Sequence, residues 1–327
     1  MVGLFDPADV SRQDPAGTRT VPIRHSLRGA LRMPRHLRDE VEQADVVVLH
    51  GGWLLGNIVA GRACRDAHVP FVITSHGVYV REVLTRRTMR KRLWGAILER
   101  RHLESATAVH VFFPEEEASM RSAMRLRTPT IIAPNGIDYP PDVVWTGRGG
   151  FLLWFGRFDI VTKGLDLLAS AIERIPAPRR PQVRLYGPDW RNGKQQMTDL
   201  VRELRIGDWV SIGDPIYGQE KWDLISDAAG CIYPSRWDAC PVAVSEAAAI
   251  GAPTLVTRFP LANFLAAHHA VLQADPNPSS LAEAIPRLFS THSRELGRSA
   301  AAIVRRYLSW DAVVTSWLEQ LHGVVRV

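Results

Sequence analysis

The stretch FLLWFGRFDIVTKGLDLLASAIERI, residues 151–175, decides the fold. Its first five residues are continuously apolar, as expected of a strand buried on both faces of a sheet. Gly156 ends the run. From Gly164 onward, Leu168, Ala171, Ile172 and Ile175 recur at helical spacing, so the strand runs through a turn into a helix. The turn carries two cations, Arg157 and Lys163, and the Lys163–Gly164 step is expected to open the helix. Free N–H groups and the dipole attract anions at such a terminus. Two readings of the turn are open. Arg157 and Lys163 hold an anion such as a diphosphate, the arginine bidentately and the lysine as a point charge. Alternatively, they pair with Asp159 and Asp166 as ordinary surface charges.

The same rhythm runs in both directions. Upstream, ADVVVLH (44–50), PFVITSH (70–76), TAVHVFF (107–113) and PTIIAPNGID (129–138) read as strands. Between them, residues 54–68, 85–106 and 114–124 read as helices, the last with Pro114 near its start and acids in its first turn. Downstream, strands are expected at 182–187, 209–214, 230–234 and 253–257. Helices are expected at 194–206, 219–228 and 241–251 and through most of 293–322. Alternating strands and helices imply parallel sheets covered on both faces. The Pro- and Gly-rich YPPDVVWTGRGG (139–150) interrupts the rhythm and marks a boundary. The expected organisation is α/β: two Rossmann-like parallel-sheet domains, 1–145 and 146–302, facing a cleft, and a terminal helix, 303–327, packing back on the first. RTVPIRHSLRGALRMPRHLRDEV (19–41) reads as a short extended piece and then a broken helix, but no opening strand with a glycine-rich loop is read before Ala44, so either the first domain lacks its first strand or the true start lies upstream.

Composition narrows the function. The 327-residue chain is 46% hydrophobic with a net charge of +6, as in a soluble globular protein. Cys64, Cys231 and Cys240 show no ligand spacing, so neither a zinc site nor a disulfide framework is expected. The N-terminus has no signal-peptide core and no run reaches the roughly 20 apolar residues of a membrane helix. A cytoplasmic protein is expected. Arg86, Arg87, Arg90, Lys91 and Arg92, interleaved with Trp94, Ile97 and Leu98, form either a solvated helix face or a dock for anionic lipid on the inner membrane face. No nucleic-acid recognition motif accompanies them.

Ligands of open parallel sheets bind beyond the carboxyl ends of the strands. There the sequence places His50 and Gly51, Ser75, His76 and Gly77, Gly156 and Arg157, Gly187, and Ser235 to Asp238. Asp238 and Glu246 follow one another across a loop and into a helix started near Pro241. Such carboxylates suit two separated hydroxyl-bearing groups; Asp238 reads equally well as a helix N-cap. Glu246, among alanines and valines, requires a specific partner.

FGRFDIVTKGLDLLASA, VRLYGPD and YPSRWDACPVAVSEAAAIGAPTLV, with LHGGW, PFVITSHGVY and IIAPNGID upstream, resemble in order and spacing the family 4 retaining glycosyltransferases of GT-B fold. The resemblance covers Ala44 to the C-terminus. It implies transfer of a sugar from a nucleotide-diphosphate sugar, with no further cofactor, to a glycan, lipid-linked or small-molecule acceptor, as in polysaccharide biosynthesis. Arg157 and Lys163 would bind the diphosphate. Asp238, in a place usually held by Glu, would lie near the sugar hydroxyls, and Glu246 would bind the ribose. Gly156, Gly164, Gly187 and the N–H groups around Cys240 and Val242 would complete the donor site. His76 would stand close to the reacting sugar, with His50 and Gly51 on the acceptor side. No DxD-like motif is present, so metal independence is expected. The alternatives are a degenerate GT-B protein that binds nucleotide sugar or a partner enzyme without catalysis, and a sugar-nucleotide epimerase.

Overall fold

The computed structural model describes residues 2–5, 19–22, 35–80 and 98–325. Packing divides the chain into two units. One comprises Met1–Val111, Glu115–Ile132 and Leu318–Val327; the other comprises Phe112–Pro114 and Ala133–Trp317.

In the first unit, β1 (Val2–Phe5) and β2 (Arg19–Pro22) pair in parallel as a two-stranded sheet. β2 falls where a short extended piece is expected, whereas β1 is a strand the sequence does not announce, and it joins β2 alone. The four-residue run VGLF is too short to show a period, and it stands apart from the helix–strand alternation that exposed the others. A second parallel sheet runs β3 (Val47–His50), β4 (Phe71–Thr74), β5 (Ala108–Val111) and β6 (Thr130–Ile132), in chain order. The helix Leu55–Asp66 connects β3 to β4, and Pro114–Met124 connects β5 to β6. Phe71, Ile73, Val109, Val111, Leu103 and Met120 form the centre of its core. Gln320, in the chain's last helix, both donates to Ile132 O and accepts from Ile132 N, each at 2.9 Å, and so satisfies the backbone of edge strand β6. Of the long basic helix, Arg100–Glu104 is described; Arg86, Arg87, Arg90, Lys91 and Arg92 lie outside the described residues.

The second unit holds six parallel strands: β7 (Phe151–Phe155), β8 (Gln182–Tyr186), β9 (Val210–Gly213), β10 (Gly230–Tyr233), β11 (Thr254–Val256) and β12 (Leu272–Gln273). Their order is β12-β11-β10-β7-β8-β9. The chain begins in the middle at β7, winds out through β8 and β9, then crosses to β10 and winds out the other way. The winding direction reverses between β7 and β10, and a crevice opens at their carboxyl ends. β7 is buried along its whole length, which explains its unbroken apolar sequence. Among the described residues no helix is long and apolar enough to cross a membrane.

Candidate functional site

The residues flanking the β7/β10 crevice are tied together by backbone and charge. After β7 the chain makes a one-turn helix, Ile160–Lys163, capped by Asp159, whose carboxylate accepts from Thr162 N at 3.2 Å. Gly164 follows in the left-handed region at φ 66°, and the longer helix Leu165–Arg174 starts beyond it. Lys163 therefore closes a short turn of helix rather than opening the long one. A side chain at Gly164 would place its Cβ 2.0 Å from Pro234 O, so only glycine allows the β7 turn to meet the loop after β10. Arg236 secures the same junction. Its N–H donates to Thr162 O at 3.0 Å, and its guanidinium binds Asp166 through two 2.6 Å contacts and Val161 O at 2.9 Å. The hydrogen bonds to Asp166 hold the Arg236 pKa above its ordinary value, against the opposing effect of burial.

With Asp166 occupied, Lys163 turns to Asp238. Its Nζ lies 2.5 Å from Oδ2, and both side chains are largely buried. Asp238 Oδ1 accepts from the adjacent Ala239 N at 3.0 Å, and Pro241 is the residue before the helix Val242–Ala249. Asp238 is thus a lysine-bound loop carboxylate and not an N-cap. Arg157 behaves differently. It is half-exposed, 3.8 Å from Asp159, with its guanidinium stacked 4.2 Å over the Trp190 ring. The surface-pair reading thus describes Arg157 with Asp159, whereas Lys163 makes its ion pair with Asp238 and Asp166 is bound by Arg236.

Glu246 has the partner its apolar helix requires. Lys221, from the helix Gly218–Asp227, places Nζ 2.6 Å from Oε1, and the two side chains are 19% and 14% exposed. Cys240 is buried, with its carbonyl accepting from Asn135 Nδ2 at 3.3 Å, while Val242 is exposed. The Val242–Ala249 helix has no side-chain cap, so the N–H groups of its first turn are not taken by a capping side chain. At the β7/β8 edge Gly156 N donates to Tyr186 O at 2.9 Å. A Cβ on Gly187 would come 1.7 Å from Gly156 O, so Gly187 permits a close backbone crossing.

In the first unit the two singled-out histidines meet. His50 ends β3 and His76 follows the adjacent β4. His50 Nδ1 and His76 Nε2 lie 2.9 Å apart, one nitrogen carrying the proton and the other receiving it. Burial lowers both pKa values, and for His76 the nearby His50 lowers it further. Both rings are therefore neutral at pH 7. The loops carrying them are held from below by two buried carboxylates. Glu99 accepts from Trp53 N at 2.7 Å and from the Tyr79 hydroxyl. Glu116 accepts from Gly77 N at 2.8 Å and from the Ser75 hydroxyl. The loops need this support: His76 sits at φ 48° and Trp53 at φ 65°, in a region that non-glycine residues avoid. Gly51, at φ 79°, donates to Thr74 O, and its carbonyl accepts from Asn57 Nδ2, both at 2.9 Å.

Sequence reasoning did not single out Lys221, Trp190, Glu99 or Glu116. Glu116 reads as one of three acids in a first turn, and Lys221 as one charge on a solvated helix. Only the demand of Glu246 for a partner pointed towards such a cation. Among the described residues no group of three or more His, Cys, Asp or Glu side chains is placed to hold a metal.

Comparison with known proteins fits this architecture. Residues 4–136 match the family model described as glycosyl transferase 4-like domain, and 149–291 the one described as glycosyl transferases group 1. No curated protein matches the chain in sequence. Among solved structures, sucrose-phosphate synthase from Thermosynechococcus elongatus superposes with a TM-score of 0.77 at 22% identity, covering 98% of this chain and 87% of its own. HepE from Anabaena, solved with UDP and glucose, gives 0.73 at 15% identity, covering 95% and 86%. A glycosyltransferase from Rickettsia africae gives 0.68 at 14%, covering 94% and 85%. The chain, matched by these models along its four- and six-stranded sheets, belongs to the group 1 glycosyltransferases and has their GT-B fold.

Proposed function

We propose that the protein transfers a sugar from a nucleoside-diphosphate sugar to a hydroxyl-bearing acceptor with retention of configuration. One observation carries the reading: Lys163 and Asp238, far apart in sequence, meet at 2.5 Å at the β7/β10 switch point, where this class of sheet binds its ligands. HepE, of the same fold, was solved with UDP and glucose, a donor chemistry that suits the site here.

As the glycosidic bond breaks, negative charge grows on the departing diphosphate, and stabilising that charge is the main electrostatic task. Lys163 supplies a fixed ammonium. Arg157, stacked on Trp190, supplies a planar fork, and the uncapped N-terminus of Leu165–Arg174 supplies N–H groups. The reaction proceeds on one face of the sugar, with the departing phosphate taking the acceptor proton, and these cations serve in place of a metal. Asp238 binds sugar hydroxyls and Glu246 the ribose. The acceptor is a glycan, a lipid-linked sugar or a small molecule met in the cytoplasm or at the inner membrane face. The non-catalytic alternative drew its support from a missing first strand; β1 pairs with β2 in a sheet of its own, apart from the four-stranded sheet.

The test is a thermal-shift screen against UDP-, GDP- and ADP-sugars, followed by nucleotide release from the stabilising donor. Lys163→Ala should lower kcat by about 10²–10³-fold, the effect of removing one donor to a developing anion. Wild-type turnover in that variant would overturn the assignment.

A further inference from the structure

Two mostly buried acids of the second unit are each bound by a lysine from another element, and the proposed chemistry uses only one of those lysines. Lys163 is absorbed by the diphosphate. Lys221 is not. It reaches from the helix Gly218–Asp227 to Glu246 at 2.6 Å, and both side chains are mostly buried. On either side of Glu246 the helix presents Val244, Ser245, Ala247 and Ala248, all buried. Burying an ammonium and a carboxylate there costs desolvation that attraction alone seldom recovers, and a well-packed apolar pair would serve the fold as well or better. What the pair does supply is a fixed place for the Glu246 carboxylate.

A carboxylate that must accept from two vicinal hydroxyls needs a fixed plane. Glu has three rotatable bonds and, in a helix of small residues, little steric support. An ammonium on Oε1 removes that freedom. A carboxylate has about four acceptor sites, so one bond to Lys221 leaves Oε2 and the second lone pair of Oε1 for hydroxyl donors. The Lys221 ammonium also lies over the Trp222 ring, 4.7 Å from its centroid.

We infer that Lys221 is a positioning residue of the donor site, holding the Glu246 carboxylate in the plane that binds the ribose diol of a nucleoside diphosphate. This rests on the donor reading above and extends it to a residue outside the motif.

The measurement is calorimetric binding of UDP, GDP and ADP to the whole chain. The best-bound base is then compared with its 2′,3′-dideoxy analogue. Wild type should prefer the ribose form by tenfold or more. In Lys221→Met that preference should collapse towards unity, while the dideoxy form binds as before. Lys221→Arg, which restores a cation, should recover most of the preference. A lysine that merely joined two helices would weaken both ligands alike and leave their ratio unchanged, and that result overturns the inference. So does a Lys221→Met protein with the wild-type preference. Wild type that binds none of the three nucleotides overturns the donor reading and the role of Lys221 with it. Glu246→Gln, in which the preference should also fall, locates the loss at the carboxylate.

Discussion

At the scale of single residues, the protein places its costly groups in pairs, and the exception is informative. Lys163 with Asp238 and Lys221 with Glu246 are ion pairs that retain some solvent contact. Breaking either from one side should cost on the order of 1–3 kcal/mol, between the values for exposed and buried pairs. His102 has no such partner. It is 4% exposed, neither ring nitrogen is hydrogen-bonded, and it stacks on Phe71 at 5.8 Å. Burial, helped by the positive Arg65, lowers its pKa from 6.5 to about 4. The unfolded chain therefore binds this proton first, so stability is intact above pH 6.5 and falls as pH drops towards 4. The full loss is about 3 kcal/mol. His102→Phe should flatten that part of the profile, as read from urea midpoints at pH 7.5 and pH 5. Equal slopes in the two proteins would show that His102 is not the titrating group.

At the scale of elements, the loops after the strands carry most of the candidate site residues, and those loops need their own supports. Glu116 is the clearest case. It begins in the first turn of Pro114–Met124, yet its side chain holds the Ser75–Gly77 loop that carries His76. Glu116→Leu would take the acceptor from the Ser75 hydroxyl and leave Gly77 N only a long 3.4 Å bond to Ser75 Oγ, a loss of roughly 1–3 kcal/mol. Glu116→Gln keeps an acceptor and should lose much less. Hydrogen exchange at Gly77 should accelerate in the leucine variant and stay near wild type in the glutamine variant; similar exchange in both would mean the carboxylate does not hold the loop. None of this was legible in the sequence, because Glu116 and Ser75 are brought together only by the sheet. The strands were legible wherever a continuous apolar run ended in glycine or a polar cluster, as at Phe151–Gly156. Pro260–Ala267 and β12 passed unread, since the first is apolar but for Asn263 and shows no polar face, and the second has two residues. Asp238 and Glu246 were found from their spacing and family likeness. Lys221 was not, nor was the pairing of Lys163 with Asp238, because an ion pair between segments distant in sequence leaves no local pattern.

At the scale of the whole molecule, the segment expected to be a linker bears on where one unit begins. YPPDVVWTGRGG looks like a spacer, rich in proline and glycine, yet it is fastened to the second unit. Trp145 N donates to Ile250 O at 2.9 Å and its indole N–H to Ala228 O at 2.6 Å; the N–H groups of Thr146 and Gly147 both donate to Ser226 O. Upstream, Ile137 N donates to Leu308 O at 3.0 Å, and Gly136 is close-packed under Trp310. The composition that signals a linker arises here because extended backbone runs along a surface, bonding through its main chain. A fragment cut at residue 146, where composition places the boundary, would lose the Trp145 indole and the Gly136–Ile137 contacts. A fragment spanning Ala133–Trp317 keeps them, together with Lys163, Lys221, Asp238 and Glu246. The longer fragment should therefore melt cooperatively, be stabilised by the nucleotide that stabilises the full chain, and transfer no sugar. The fragment starting at Thr146 should be less stable by roughly 2–4 kcal/mol, the order expected for losing a half-buried tryptophan and the packing beside it. Circular-dichroism melts of the two fragments decide the matter: equal midpoints would move the boundary back to residue 146, and a longer fragment that fails to bind nucleotide would show that the donor site needs residues of the first unit.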